Sequence, residues 1–555
     1  MVTGFDYADG DPKIRGRSRL TEIPENGAPR GTASLWRPLR VATFRNLLAA
    51  NVVSDIGAFM QNVGAAWLMI SLHAGPAYVA LTQTAASLPY FLLSLPAGSA
   101  GDIVDRRKLI LATETWMTVV ALLICVLTIG GLMKPWLLLV LTFALSAGDA
   151  FETPSWRAIL PELVPKEDLP AASALNGIEF NLARAVGPAL AGVVIAAAGV
   201  AAAFVTNFVS FFGVILVVAK WKRPVRKRTT PPETFGGATV AAVRYVRYSP
   251  EILTVVVRTG AVMFFSSALF ALLPTVARSV RESAIGYGIL LGCFGVGAIA
   301  GALIMQPARE RWSTETVVSS GVVILGLVIV AMSGLHRLGT LAPVMLIGGA
   351  AWVLFISLIS AMIQSMAPDW VRARVLAVFI LVYQGSFALG SAAWGALAER
   401  AGIGTALVVA GLGTIATTVL ALLAKLPEST ADVSPWVHMR MPDVARQDDS
   451  YLQQGPLLVT VEYSVVSEKA TEFVEAIHQY SRIRRRDGAF RWGVYRDIED
   501  ANRYVEIFLV HTWAEHLRQH ERSTRADSEL ERRLKSCVTG DTVVHHLIYS
   551  ESQET

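Results

Sequence analysis

The sequence predicts an all-α polytopic membrane protein: twelve transmembrane helices in two pseudo-symmetric six-helix bundles, followed by a C-terminal α+β ferredoxin-like cytoplasmic domain. Three observations predict it. Of 555 residues, 53% are hydrophobic and only 17% charged, where a soluble chain carries about a quarter charged residues. The charges crowd the first 45 residues, the stretch near 220–250 and everything beyond about 430. Between those stretches lie about twelve apolar runs, each near the ~20 residues that cross ~30 Å of hydrocarbon.

In order, the expected spans lie near 46–72, 78–101, 109–131, 135–157, 173–198, 201–220, 252–277, 286–307, 315–334, 341–365, 373–398 and 403–425. Lys and Arg divide the connections into two sets. The rich set holds Arg37, Arg40 and Arg45, then Arg106, Arg107 and Lys108, then Lys222 to Arg228, Arg309 and Arg311, and Arg372 and Arg374. The poor set holds Lys134, Arg278, Arg281, Arg337 and Arg400. The positive-inside rule therefore puts both termini in the cytoplasm, and a bacterial inner membrane is the expected location. The expected divisions are a cytoplasmic tail over 1–44, an N-terminal bundle over 45–220, a basic loop over 221–251, a C-terminal bundle over 252–426, a linker over 427–454 and a cytoplasmic domain over 455–550. In the last of these, Leu457, Val459, Val461 and Tyr463 alternate as in a strand, and Phe473, Ile477 and Tyr480 share one helical face. Further strands are expected near 489–497, 502–511 and 543–549, with helices near 512–537, giving the β-α-β-β-α-β order of a ferredoxin-like unit.

The stretch Gly98-x-x-x-Asp102-x-x-Asp105-Arg106-Arg107-Lys108 lies between the second and third apolar runs, where a short loop is expected. It resembles the loop between the second and third helices of the major facilitator superfamily. A relic follows the eighth run, where Gly301 and Arg309 survive but Met305 stands in the position of the acid. Pro154-Ser155-Trp156-Arg157 through Pro165, and Asn181-Leu182-Ala183-Arg184 through Gly192, are similar to the transmembrane secretion effector branch, as are Tyr287–Gly292 and Trp394–Glu399. Gly187-Pro188-x-x-x-Gly192 resembles the fifth-helix motif of antiporters, although Ala174 and Ala183 replace its earlier glycines. The resemblance implies export of a small amphipathic molecule (a siderophore, drug or secondary metabolite) by alternating access, with protons as coupling ion. An importer of the same fold stays open.

Ionisable side chains inside a membrane are costly and are functional candidates by default. Asp55 and Arg184 are expected near mid-depth, with Asp149 and Glu179 nearer the cytoplasm, and Glu152 beside the interface. Asp55, Asp149 or Glu179 would carry a proton with Arg184 as counter-charge; a permanent ion pair fastening two helices is the alternative. Gly98, Asp102, Arg106 and Arg107 are expected to act as a conformational latch between the bundles. Asn51, Gln61 and Asn207 would bond a substrate or one another, and Trp67, Met60, Phe264, Phe265, Tyr383 and Phe387 would wall an apolar path. Arg258 is expected to snorkel to the interface.

No Gly-x-x-x-x-Gly-Lys-(Ser/Thr) loop is present, which leaves an ion gradient as the driving force. Cys125, Cys293 and Cys537 are too far apart for a disulfide framework or zinc site, and no cofactor or metal is expected. The net charge of +5 reads as loop bias, with the lipid bilayer rather than nucleic acid as partner. The N-terminus has no basic stretch leading into an apolar core, so no cleaved signal is expected. The C-terminal 95 or so residues resemble antibiotic-biosynthesis-monooxygenase-type domains. The Trp513 to His516 and His520 spacing is similar to theirs, which implies a fused cofactor-free oxygenase or haem-binding role. Two histidines four apart on a helix suit a metal, but with no third ligand or catalytic set a regulatory or dimerising module, with a homodimer through this domain, is the preferred reading.

Overall fold

The computed structural model describes residues 34–103, 105–221, 235–281, 284–427, 432–434, 436 and 454–549. The N-terminal half comprises α1 (Ala42–Ser71), α2 (Pro76–Ile103), α3 (Arg106–Ile129), α4 (Pro135–Leu163), α5 (Leu169–Ala198) and α6 (Val200–Lys220). A shorter helix, α7 (Phe235–Tyr248), precedes the second half. That half comprises α8 (Pro250–Arg281), α9 (Ala284–Arg311), α10 (Thr314–Met332), α11 (Leu338–Met366), α12 (Arg372–Ala401), α13 (Ile403–Ala416) and the last turn α14 (Leu420–Leu423). Ten of these segments are long and apolar enough to cross a membrane. The expected count of twelve is thus reached on length and composition by ten only. α1 and α2 fall short because polar groups are spread along them: Asn51, Asp55 and Gln61 on one, Thr82, Gln83, Thr84, Pro89 and Pro96 on the other. Gln61 and Thr82 are nevertheless buried against neighbouring helices.

The connection expected over 98–108 is shorter than the sequence suggests. α2 stays helical through Ile103, and α3 begins at Arg106, its N-terminus capped by the Asp105 carboxylate, which accepts from the Lys108 N–H at 3.2 Å. The backbones of Gly98 and Asp102 are therefore helical, while their side chains lie outside the described residues, as do Lys222 to Arg228 of the basic loop.

The two halves meet along α2 with α12 and α5 with α9, and glycine sets the closeness. A Cβ on Gly288 would stand 2.8 Å from the Pro188 carbonyl oxygen and 2.9 Å from Gly192 Cα. Gly295 lies equally close to Ala185, Gly395 to Ala80, and Gly385 to the Phe91 ring. Thr84 Oγ1 donates to the Ala388 carbonyl at 3.0 Å, and the Ala77 N–H at the start of α2 donates to Glu399 at 3.2 Å. These contacts occupy the last part of α5 and α12 and the first part of α2 and α9, so they close one end of the molecule. Toward the other end, Gly177 of α5 has no atom within 4 Å of where a Cβ would stand.

Beyond the helices, β1 (Leu457–Ser464), α15 (Ala470–Asp487), β2 (Arg491–Arg496), β3 (Arg503–Val510), α16 (Trp513–Arg522), α17 (Arg525–Lys535) and β4 (Val543–Ile548) form a separate unit. Its antiparallel sheet has the order β2-β3-β1-β4, with Val459 opposite Phe508 and His546. This is the split β-α-β arrangement of a ferredoxin-like fold. Leu457, Val459, Val461, Phe473, Ile477 and Phe508 form its core between sheet and helices.

Candidate functional site

The N-terminal bundle gathers five carboxyl groups and a tyrosine from five helices. Asp55 of α1 and Glu179 of α5 meet side chain to side chain, as do Glu114 of α3 and Glu152 of α4. Thr113 Oγ1 donates to Glu152 at 2.8 Å, and the Tyr90 hydroxyl of α2 donates to Asp149 of α4. Glu114, Glu152 and Glu179 are buried, whereas Asp149 is exposed although it stands mid-way along an apolar helix. One oxygen each of Glu114 and Glu179 has no hydrogen-bond partner. Two carboxyls side by side repel each other when both are ionised and hydrogen-bond to each other when one is protonated.

Local sequence explains how α1 and α5 come close enough for the first pair. A Cβ at Gly187 would stand 2.6 Å from Phe59 Cβ and 3.2 Å from the Ile56 carbonyl, so the absence of a side chain lets α5 lie on α1 beside Asp55. Pro188 has no N–H to return to the carbonyl one turn back, which loosens the helix there. Gly192, the last member of the motif, faces the other half instead, where a Cβ would stand 3.1 Å from Gly288 Cα and from the Ala284 carbonyl oxygen. The motif thus serves two contacts, one within its bundle and one between bundles.

Arg184 does not take the counter-charge position expected of it. Its guanidinium lies 5.1 Å from the Phe180 ring centroid and faces Tyr383 of α12; among the described residues it has no carboxylate partner. Five positions along an α-helix is about 140° of rotation, which turns Arg184 away from the face that carries Glu179. Tyr383 stacks on Phe387 at 6.4 Å and touches Phe379, making an aromatic strip along α12. Arg258 also departs from expectation. Instead of snorkelling, it forms a two-pronged pair with Glu315 at the start of α10, both nitrogen–oxygen distances being 2.7 Å. Glu315 additionally accepts from Ser319 and from the Leu426 N–H.

Among the expected latch residues, Arg106 pairs with Glu162 of α4 at 2.8 Å, and Arg107 donates to the Val218 and Ala219 carbonyls at the end of α6. A cation at a helix C-terminus complements its dipole. In this conformation both arginines therefore engage their own bundle. Asn51 lines a small cavity with Phe44, Trp156 and Asn176, while Gln61 lies 3.5 Å from Asn207 as a buried contact between α1 and α6.

In the C-terminal unit, Glu506 is completely buried yet receives Tyr463, Arg484 and Trp492 at 2.9, 3.2 and 2.8 Å. His516 lies 2.9 Å from His546 and 3.4 Å from His520 through their Nε2 atoms, with Trp513 packed beside it. Burial, followed by the neighbouring imidazoles, pushes His516 down to about 3; burial and Arg484 push His520 down to about 4. The three rings are a neutral string, and no group of three His, Cys, Asp or Glu among the described residues is placed to hold a metal ion. Sequence reasoning missed Glu114, Glu315, Glu506 and His546. The signals were slight: an acid within an apolar run for Glu114, and an acid in an alternating strand for Glu506.

Two helical halves packed against each other, with carboxyl groups gathered inside the first, fit a membrane transporter that handles a small-molecule substrate, and the chain's relatives are of that class. The chain belongs to the transmembrane secretion effector family of the major facilitator superfamily, which it matches over residues 33–554. It is 23% identical to the staphyloferrin A transporter of Staphylococcus aureus, over 68% of this chain and 97% of that one. It is 24% identical to the multidrug efflux pump Tap of Mycolicibacterium fortuitum, over 64% and 89%, and 24% identical to the enterobactin exporter of Citrobacter koseri, over 68% and 91%. Among solved structures, a bacterial homologue of the lysosomal transporter Spinster in an inward-facing conformation superposes with a TM-score of 0.54 at 14% identity, covering 70% of this chain and 96% of that one. The nucleoside transporter NupG gives 0.56 at 12%, covering 69% and 100%. The chain is accordingly a secondary transporter, a multi-pass membrane protein of bacterial type.

Proposed function

We propose that the protein is a proton-coupled exporter of a small amphipathic molecule, with twelve spans, both termini in the cytoplasm and alternating access between two bundles. The observation that carries this reading is the gathering of Asp55, Glu179, Glu114, Glu152 and Asp149 among the apolar helices of one bundle. A carboxyl that gains water on one side and a cationic neighbour on the other changes its proton affinity between states, which is what coupling requires. Arg184, unpaired here, is the cation available to an acid when the bundles re-pack. On this orientation the glycine-lined closed end faces outward and the structure is inward-facing. The exporter and efflux pump among the relatives support export, and siderophores or drugs as cargo.

The divisions then fall as a tail over 1–44, bundles over 45–220 and 252–426 joined by the basic loop, a linker over 427–454 and a cytoplasmic domain over 455–550. The cytoplasmic domain acts as a regulatory or dimerising module; a catalytic monooxygenase-like role is the second reading, favoured only by the Trp513–His516 packing. The test is energised flux into inverted membrane vesicles, with dyes and iron-chelating metabolites as probes. Uptake that a protonophore abolishes, and that Asp55→Asn also abolishes, is the expected result. Uptake into right-side-out vesicles instead would make the protein an importer, and flux insensitive to the protonophore would refute proton coupling.

A further inference from the structure

The C-terminal domain is seated on the second half of the transporter through a compact set of charged and aromatic contacts. Arg244 of α7 donates to Glu515 of α16 at 2.9 Å and to the Arg486 carbonyl at the end of α15 at 3.3 Å. Glu515 also receives Arg522 at 2.8 Å and Arg518 at 3.2 Å, and Arg244, Glu515 and Arg522 are at most 15% exposed. The Arg522 guanidinium lies 4.5 Å from the Trp370 ring, and Arg486 lies 5.3 Å from Tyr245 of α7. Tyr245 and Trp370 meet edge to face at 5.6 Å. Guanidinium stacked on indole is held more strongly when closed off from water, and hydrogen bonds between charged groups are stronger than neutral ones. The seat is therefore a specific interface and not a tether alone.

Its position matters because Trp370 stands two residues before α12. Where the halves are closed, α2 and α12 run antiparallel with Ala80 against Gly395 and Phe91 against Gly385. Continuing that register brings the end of α2, at Ile103, to the start of α12, at Arg372. Closing the open end of the molecule must bring those two ends together, beside the turn on which Arg522 and Tyr245 now rest. We propose that the docked C-terminal domain is an autoinhibitory clamp, which grips α7 and the α11–α12 turn and holds the transporter in the conformation seen here. This inference needs two-state access, but not the direction or coupling of transport.

The test uses the full chain with Cys125→Ala, Cys293→Ala and Cys537→Ala, and Thr84→Cys as reporter. Thr84 bridges α2 to α12 at the closed end and is partly covered there, so a membrane-impermeant maleimide reaches a cysteine at this position faster when that end opens. Arg244→Glu, which repels Glu515, and Trp370→Ala, which removes the stacking partner, are each expected to raise the labelling rate about tenfold, the factor for losing one hydrogen bond between charged groups in the first and one buried cation–π contact in the second. Arg244→Lys should stay near the parent. Gly288→Ala, which forces α5 and α9 apart directly, confirms that the reporter responds. Labelling that is unchanged or slower in Arg244→Glu and Trp370→Ala, with Gly288→Ala raised, overturns the clamp.

Discussion

Gly288→Ala puts the closed end under direct test. The added methyl would stand 2.8 Å from the Pro188 carbonyl and 2.9 Å from Gly192 Cα, and both obstacles are backbone, so no side chain can swing aside. α5 and α9 must separate by several tenths of an ångström, and overpacking of this kind costs about 1–3 kcal/mol. The cost falls only on the conformation in which the two helices touch. It therefore shifts the equilibrium toward the opposite conformation by a factor of about 5 to 150. Gly192→Ala should do the same more weakly, because its Cβ meets its nearest atoms at 3.1 Å. Spin labels at Ala201 and Gly404, near the starts of α6 and α13 at the closed end, report the populations as two distances. A growing long-distance fraction, ordered Gly288→Ala above Gly192→Ala above wild type, is expected. If Gly288→Ala keeps the wild-type distribution while folding normally, the α5–α9 contact is not the gate and the reasoning fails.

Two further outcomes follow from the charged contacts. Arg258→Gln leaves Glu315 without its two-pronged partner and should destabilise the second half by about 3 kcal/mol, as breaking a buried pair does; the melting temperature measures it, and Arg258→Lys should recover part of the loss. His516 and His520 have folded values near 3 and 4 against 6.5 unfolded, so below pH 6.5 the unfolded chain binds more protons. The C-terminal domain should hold constant stability above about pH 7 and lose it as pH falls from 6.5 toward 4. His516→Asn should flatten that slope in denaturant titrations at several pH values, and a slope unchanged by the substitution would remove the histidine string as its cause.

Much of the architecture is a property of the linear chain. Hydrocarbon has a fixed thickness, so the apolar runs from α3 onward declare themselves by length, and a half-buried strand must alternate, as Leu457 to Tyr463 do. The same rules placed spans over α1 and α2, but that Gln61 and Thr82 on them are buried depends on neighbours that only the packed bundle supplies. They also missed α7, whose short stretch with two arginines reads as part of a basic loop until Arg244 and Tyr245 find Glu515 and Arg486.

What the sequence by itself determined was the run of apolar segments, ten of them long and apolar enough to cross a membrane, the glycine and proline positions that let helices touch, and which ionisable groups stand within those runs. Which of those groups meet was decided only in three dimensions. Arg184 faces Tyr383 and not Asp55, Arg258 finds Glu315, and His546 joins His516 across 30 residues. The physical reason is that a side chain's partner depends on the rotation and crossing of helices packed from distant parts of the chain. Local periodicity sets which face a residue occupies, but not which helix that face will meet.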